Sequence, residues 1–415
     1  MTSKNTPQNT SSQLEETPKL IEETPKLNDH WIDSNAYSIV KRLKAAGHTT
    51  YLVGGCIRDL LLGINPKDYD LGTMARPQQV RRLIKNAFVI GRRFKLVLVK
   101  RKDNQYEVAT FRRDPSEEEK NDETKWGDNL FGSPKEDAFR RDFTINALFY
   151  DPVEDILIDE VGGLDDLKNG WIKIIGEPEK RIEEDPVRSL RAIRLKYKIN
   201  FGLEPSLRYA IQNTAALLEG SALPRRREEY LKFLRTQSPL LPFIDCYDFG
   251  LTPYILPTLH KILEDPNKRQ VFTSIAENYY HQKLRTSEPI ELFSGLIFAF
   301  VRAEIAEDPK QELTISSLLK NPLLTEFSKR ELGLFNYEHS YVLRALQLQP
   351  FLHNKEGFLR RGQRRQNAAL NNASFPLALK FAAHDYSVSA EDLCFWQERY
   401  KNRDKSVKFE DEEEV

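Results

Sequence analysis

This chain of 415 residues is short of several things. It has three cysteines, Cys56, Cys246 and Cys394, an odd number and widely spaced. Neither a disulfide framework nor a cysteine zinc site is expected from them, and a reducing cytoplasm is. Its seven histidines are scattered without metal-ligand spacing. No apolar run approaches the ~20 residues of a membrane span. The first residues are polar and lack the apolar stretch of a secretory signal. There is no charge excess either, since 62 basic residues balance 62 acidic ones. A nucleic-acid partner therefore cannot be argued from total charge, only from its distribution. From Leu71 to Lys102 every charged residue is Lys or Arg, Arg92 and Arg93 among them, and such a stretch could hold phosphates.

What the chain does have is concentrated in Leu52–Gly72, LVGGCIRDLLLGINPKDYDLG. A short apolar run ends at Gly54-Gly55, where the lack of Cβ atoms lets a backbone approach a phosphate closely. A helical pattern from Cys56 to Leu62 follows and carries Arg58 and Asp59. Asp68-Tyr69-Asp70 alternates as a strand does, which sets two carboxylates side by side. Like charges that close are costly without a cation between them, and hard oxygen ligands suit Mg²⁺. The alternative, a turn, a helix and an exposed acidic strand, leaves this combination unexplained. Glycine turn, arginine and paired aspartates together read as a site for a nucleoside triphosphate and its metals.

Around this stretch the chain reads in order. Residues 1–30, with EETPKL repeated at Glu15–Leu20 and Glu22–Leu27, read as a disordered leader. Helices are expected over Trp31–Ala46 and Pro77–Lys85, and strands over Phe88–Ile90, Phe94–Lys100 and Tyr106–Phe111. Glu107 in the last of these is a candidate third carboxylate if its strand lies beside the aspartate pair. Ser133–Tyr150 reads as one capped helix, with Phe139, Phe143, Ala147 and Tyr150 at helical spacing and Arg141, Asp142 and Asn146 along a polar side that could meet a ribose and its phosphates. Ile156–Asp159 and Trp171–Ile174 resemble a hairpin enclosing Val161–Leu167. Beyond Pro178 helical segments dominate.

Glu184–Arg194, EDPVRSLRAIR, is the second informative stretch. Asp185 and Arg188 are three apart and so neighbours on a helix. A carboxylate accepts and a guanidinium donates, so the pair could read the pairing edge of adenine or cytosine and leave guanine or uracil unpaired. A plain helix cap with a salt bridge is the other reading. Arg191 and Arg194 continue the same side and could hold phosphate. Near the end, Arg360, Arg361, Arg364 and Arg365 precede aromatic residues including Trp396 and Tyr400, a mixture that could bind single-stranded RNA by charge and stacking.

These motifs, in this order, resemble the class II branch of the DNA polymerase β-like nucleotidyltransferases, which holds bacterial poly(A) polymerases and CCA-adding enzymes. The resemblance is carried by Gly54-Gly55 with Arg58-Asp59, Asp68-Tyr69-Asp70, Glu107–Arg112, Arg140–Asn146, Gly162-Gly163 with Asp166-Leu167, and Glu184-Asp185 with Arg188, and is dense from about residue 50 to 235. Within the branch, Gly91-Arg92-Arg93-Phe94 and Leu130-Phe131-Gly132-Ser133 look like the poly(A) polymerase versions, although Leu98 stands where a histidine is common. The resemblance implies an α+β protein: a small mixed-sheet nucleotidyltransferase head (31–150) after the leader, then an all-α neck that recognises the base (151–240), a helical RNA-binding body (241–403) and an acidic tail (404–415). It implies that Asp68 and Asp70 bind two Mg²⁺ ions, with Glu107 the third catalytic carboxylate and Asp142 another acidic candidate. Gly54, Gly55, Arg58, Arg141, Asn146, Asp185, Arg188, Arg191 and Arg194 would bind the nucleotide, and Arg92, Arg93, Arg361, Arg364 and Arg365 the RNA. The expected activity is template-independent addition of AMP from ATP to RNA 3′ ends in the cytoplasm, by a protein that need be no more than a monomer and has no membrane partner. The alternatives are CCA addition to tRNA and a non-catalytic RNA-binding protein on the same scaffold.

Overall fold

A computed structural model of the chain describes residues 27, 32–91, 96–102, 104–115, 130–281, 288–305, 322–384 and 388–407. The expectations for the leader, for Arg92 and Arg93, and for most of the acidic tail lie outside the described residues. The described chain forms two compact units, divided after Arg181, with Ile199–Tyr209 returning to the first. Mixed sheet in one and helices in the other make the protein α+β, as expected.

The first unit is built on a sheet of β1 (Thr50–Val53), β2 (Asp70–Thr73), β3 (Ala87–Ile90), β4 (Leu96–Arg101), β5 (Asn104–Thr110), β6 (Leu148–Asp151) and β7 (Ile156–Asp159), in the order β3-β4-β5-β2-β1-β6-β7. β2 and β5 run parallel; the other neighbours are antiparallel. α1 (Ser34–Ala45) buries Ala36, Ile39, Val40 and Leu43, the spacing of one helical face. Its cap is Asp33, whose carboxylate accepts from the backbone N–H groups of Asn35 and Ala36 and from the Tyr106 hydroxyl. α2 (Gly55–Leu61) leaves β1 through Gly54, whose φ of 79° an L side chain would resist. α3 (Pro77–Leu83) starts on proline at its first position.

On the opposite face Val53, Phe111, Ala138, Ala147, Phe149 and Ile175 form a core, with Tyr51 packed against it. Phe111 folds across the sheet over Gly72, where a Cβ would sit 2.3 Å from its Cε1. The glycine after Asp70 therefore makes room for the ring that closes this core.

Ser133–Tyr150 is not one helix. α4 (Pro134–Phe139) begins with the expected capping box between Ser133 and Glu136 but ends at Arg140. A 3₁₀ turn, Thr144–Asn146, follows, and Leu148–Asp151 is β6, held between β1 and β7. Leu148, Phe149 and Tyr150 are all buried there, and strand pairing on both sides overrides the helical spacing. The hairpin expected of Ile156–Asp159 and Trp171–Ile174 is also absent. The first segment pairs with β6, while Trp171–Ile172 (β8) pairs in parallel with Gly202–Leu203 (β9).

The second unit is helical. Its buried aromatic residues include Tyr230, Phe233, Phe243, Phe272, Phe293, Phe298 and Trp396. A π-helical turn, Glu326–Glu331, and a helix, Asn336–Gln347, are separated by Gly333 at φ 79°. Among the described residues no helix is long and apolar enough to cross a membrane.

Candidate active site

Asp70 opens β2 and is the Cα partner of Glu107 on parallel β5. Paired residues of neighbouring strands project to the same face, so the two carboxyl groups lie side by side. Asp68 precedes the hydrogen-bonded part of the strand, yet the alternation holds: Asp68 and Asp70 are exposed while Tyr69 between them is buried. The Asp70 side chain reaches solvent, but the protein around it removes much of its hydration. That loss comes first in raising its pKa from 3.8 to about 6; the charges of Glu107 and Asp68 add to it, and Arg141 opposes it. Three carboxylates and an arginine thus act on one another at the end of β2.

Arg141 is fixed by Asp137, whose Oδ2 accepts from Arg141 Nη2 at 2.9 Å and Nε at 3.1 Å. Its Nη1 donates to the Asn146 carbonyl at 3.1 Å, and its guanidinium lies 5.0 Å from the Phe149 ring centroid. Asp137 Oδ1 also accepts from the Arg112 N–H at 3.1 Å, tying α4 to the end of β5. A Cβ on Gly54 would approach Arg141 Nη1 to 3.1 Å, and one on Gly55 would approach Arg58 Nη2 to 3.4 Å. In this structure the two glycines clear space for guanidinium groups.

Arg58 is 2% exposed. It donates to Asp59 Oδ1 and, from Nη1, to Asn146 Oδ1. Asp142 is buried and accepts from the Phe143 N–H at 2.8 Å and from Asn146 Nδ2 at 3.4 Å. Asn146 is therefore held by Arg58, Arg141 and Asp142 together. The structure brings Gly54, Gly55, Arg58, Asp68, Asp70, Glu107, Arg141, Asp142 and Asn146 into one neighbourhood, although Arg141, Asp142 and Asn146 reach it from a turn and not from a helix face.

The other candidates belong to the second unit. Asp185 lies between the helices Pro178–Glu184 and Val187–Ile199. Its Oδ1 accepts from the Val187 N–H at 3.2 Å and its Oδ2 from Arg225 Nη2 at 2.7 Å. Arg188 pairs with Glu184 at 3.0 Å. Arg194 holds Glu229 at 2.8 Å, and Arg191 is half-buried. Arg361, Arg364 and Arg365 are exposed, and Arg361 stands 5.3 Å from the Phe351 ring centroid. Trp396 is fully buried and donates to the Leu352 carbonyl at 2.9 Å, so it is a core residue and offers no face to RNA.

Sequence reasoning missed Asp137 and Arg225. Asp137 stands four residues before Arg141 on a capped helix, a spacing that signals a pair. Arg225 lies forty residues from Asp185, and nothing local marks it.

Among the described residues no three acidic, histidine or cysteine side chains already form a closed metal cage. Mg²⁺ does not ask for one: it keeps waters and substrate phosphate oxygens and takes one or two protein carboxylates. Asp68 and Asp70, with Glu107 raising the cost of the Asp70 charge, fit that pattern.

A mixed sheet that offers two carboxylates at the start of one strand and a third on its parallel neighbour is the head of a nucleotidyltransferase. Residues 50–173 match the family model described as "Poly A polymerase head domain", and residues 200–263 match "Probable RNA and SrmB- binding site of polymerase A". The chain thus carries a head domain and an RNA-binding segment of the poly(A) polymerase type, and it is similar to proteins named poly(A) polymerase I and CCA-adding enzyme. Poly(A) polymerase I of Salmonella typhi is 38% identical over 68% of this chain and 63% of its own length. The CCA-adding enzyme of Enterococcus faecalis is 36% identical over 52% of this chain and 53% of its own. The chain thus spans less than two thirds of the poly(A) polymerase relatives it matches. In fold it is similar to the Thermotoga maritima CCA-adding enzyme complexed with tRNA (TM-score 0.59, 20% identity, 92% of this chain and 86% of that one). It is also similar to the Bacillus stearothermophilus CCA-adding enzyme in complex with CTP (TM-score 0.52, 24% identity, 89% of this chain and 98% of that one).

Proposed function

We propose that this chain is a template-independent RNA nucleotidyltransferase that transfers AMP from ATP to RNA 3′ ends and releases pyrophosphate. The observation that carries the reading is the pairing of Asp70 with Glu107 across parallel β2 and β5, beside Asp68. The relation to poly(A) polymerase I, over more of the chain than the relation to CCA-adding enzymes, favours ATP as the nucleotide.

Asp68 and Asp70 would hold Mg²⁺, which when bound supplies positive charge to the triphosphate and lowers the pKa of a coordinated hydroxyl. Glu107, paired with Asp70 across the two strands, adds a third carboxyl group to the place where a cation would sit. Arg141, anchored by Asp137, sits close enough to temper Asp70 and is oriented for a phosphate or ribose oxygen. Arg58 acts from beneath by fixing Asn146, whose amide is then set to meet a ribose hydroxyl, with Asp142 holding the same amide. In the second unit, Asp185 and Arg188 would read the base. Arg225 and Glu184 would hold both side chains in place until a base takes over their hydrogen bonds. RNA 3′ ends are the second substrate, and the cytoplasm the place of action.

The test is nucleotide addition to a labelled RNA in Mg²⁺ by the wild-type chain and by Asp68→Asn. Addition by the wild type that falls at least a hundredfold in the variant supports the assignment. Addition that survives the substitution unchanged removes Asp68 from the site. CCA addition is the second reading, favoured by the structural neighbours; it keeps the same head chemistry and changes only the nucleotide programme.

A further inference from the structure

The β3–β4–β5 half of the sheet is apolar on both faces but covered on one. Val97, Val99, Tyr106 and Val108 are buried on the face where α1 and α3 lie. The other face carries Phe88, 51% exposed, and Ile90, 40% exposed, beside half-buried Leu96 and Leu98. Strand register continues this strip directly to the reacting groups. Phe88 pairs with Leu98, Leu98 with Glu107, and Glu107 with Asp70. One row across four strands therefore projects to one face, aromatic at its outer end and acidic at its inner end. At about 4.8 Å per strand, Phe88 stands roughly 14 Å from Asp70. Lys100, on the same face two residues beyond Leu98, holds its Nζ 5.8 Å from the Phe88 ring centroid. Among the described residues the same face is filled on the β1 and β6 side by Phe111, Phe149 and Ala138.

We propose that this strip is the track on which the 3′-terminal nucleotides of a single-stranded RNA lie, with a base stacked on Phe88 and Lys100 on the neighbouring phosphate; the inference rests on the nucleotidyl-transfer reading of Asp68 and Asp70. Three features select RNA as the occupant. The strip ends on the carboxylates that a primer 3′-hydroxyl must reach. Of the basic residues in Leu71–Lys102, Lys100 lies on this face beside the ring, while those of α3 belong to the covered one. An exposed ring with an ammonium above it is the combination by which proteins hold single strands without reading their sequence, and stacking on one such ring contributes about tenfold or more in affinity. A protein strand added to the β3 edge would need neither the lysine nor the continuity with Glu107.

The experiment compares the full chain with Phe88→Ala and Phe88→Trp. Binding of a fluorescein-labelled short oligoadenylate is read by anisotropy, and KM for RNA and for ATP by extension. The melting temperature of each variant checks folding, which substitution at so exposed a position leaves intact. Phe88→Ala should weaken RNA binding and raise the RNA KM about tenfold. The ATP KM should stay at the wild-type value, and Phe88→Trp should restore RNA binding. Lys100→Gln should flatten the salt dependence of RNA binding. Equal RNA affinity in wild type and Phe88→Ala overturns the proposal. So does a wild-type dimer, seen by sedimentation, that Phe88→Ala splits with RNA affinity unchanged, since the strip is then a contact between copies. If the chain adds no nucleotide, the nucleotidyl-transfer reading fails, and the anisotropy comparison still decides the strip.

Discussion

Replacing Asp70 with asparagine should stabilise the metal-free protein while abolishing its activity. The carboxyl pKa is raised from 3.8 to about 6, first by lost hydration and then by Glu107 and Asp68. Full conversion of that shift gives about 3 kcal/mol. The side chain is more than a third exposed, so water screens it, and about 1 kcal/mol is the expected gain. The sign follows from the direction of the shift. A carboxyl whose folded pKa is raised carries its penalty only when ionised. Below about pH 3 both folded and unfolded chains are protonated there and the penalty vanishes. Above about pH 6 it is complete. Calorimetry without metal should therefore show Asp70→Asn melting about 1–2 °C higher than wild type near pH 7.5, with the difference gone near about pH 3. Added Mg²⁺ should raise the wild-type melting temperature and raise the variant's less, because ligand that binds the folded state stabilises it. A variant no more stable than wild type near pH 7.5, or equally stabilised near about pH 3, would refute this electrostatic account of the site.

Three further outcomes are expected. Gly72→Ala places a Cβ 2.3 Å from Phe111 and should cost about 1–3 kcal/mol, seen as a lower urea midpoint, with addition reduced because Asp70 is two residues away. Glu338→Ala strips the partner from Arg227, which is buried and held at 2.7 Å. It should destabilise by about 3–5 kcal/mol in calorimetry, with Glu338→Gln losing less. Arg188→Ala should lower the preference for ATP over GTP and UTP by about tenfold or more in single-nucleotide extension, because the donor proposed to read the base edge is gone.

The head was legible where its chemistry is local. Gly54-Gly55, the alternation through Asp68, Tyr69 and Asp70, and the strand bearing Glu107 each mark themselves within a few residues. That Glu107 faces Asp70 depends on β5 lying parallel to β2, a non-local pairing that the sequence offered only as a condition. Ser133–Tyr150 misled because Phe139, Phe143, Ala147 and Tyr150 satisfy a helix by their spacing, while Leu148–Asp151, placed between β1 and β7, pairs as a strand. Arg58 looked available for phosphate, but burial turned it inward onto Asp59 and Asn146. Trp396 looked like a stacking surface and is fully enclosed among Phe351, Phe358 and Phe375. Composition and spacing do not distinguish an aromatic ring in solvent from one in a core.

The central claim is best tested by a primer-extension assay in Mg²⁺ with the purified full chain. An unstructured RNA and a tRNA lacking its 3′ CCA are each given single nucleotides and then all four. The account predicts long ladders from ATP alone on both RNAs. Addition to the tRNA alone that stops after CCA, and needs CTP as well as ATP, would contradict it and make the chain a CCA-adding enzyme. No addition by folded protein would leave the head a binding scaffold.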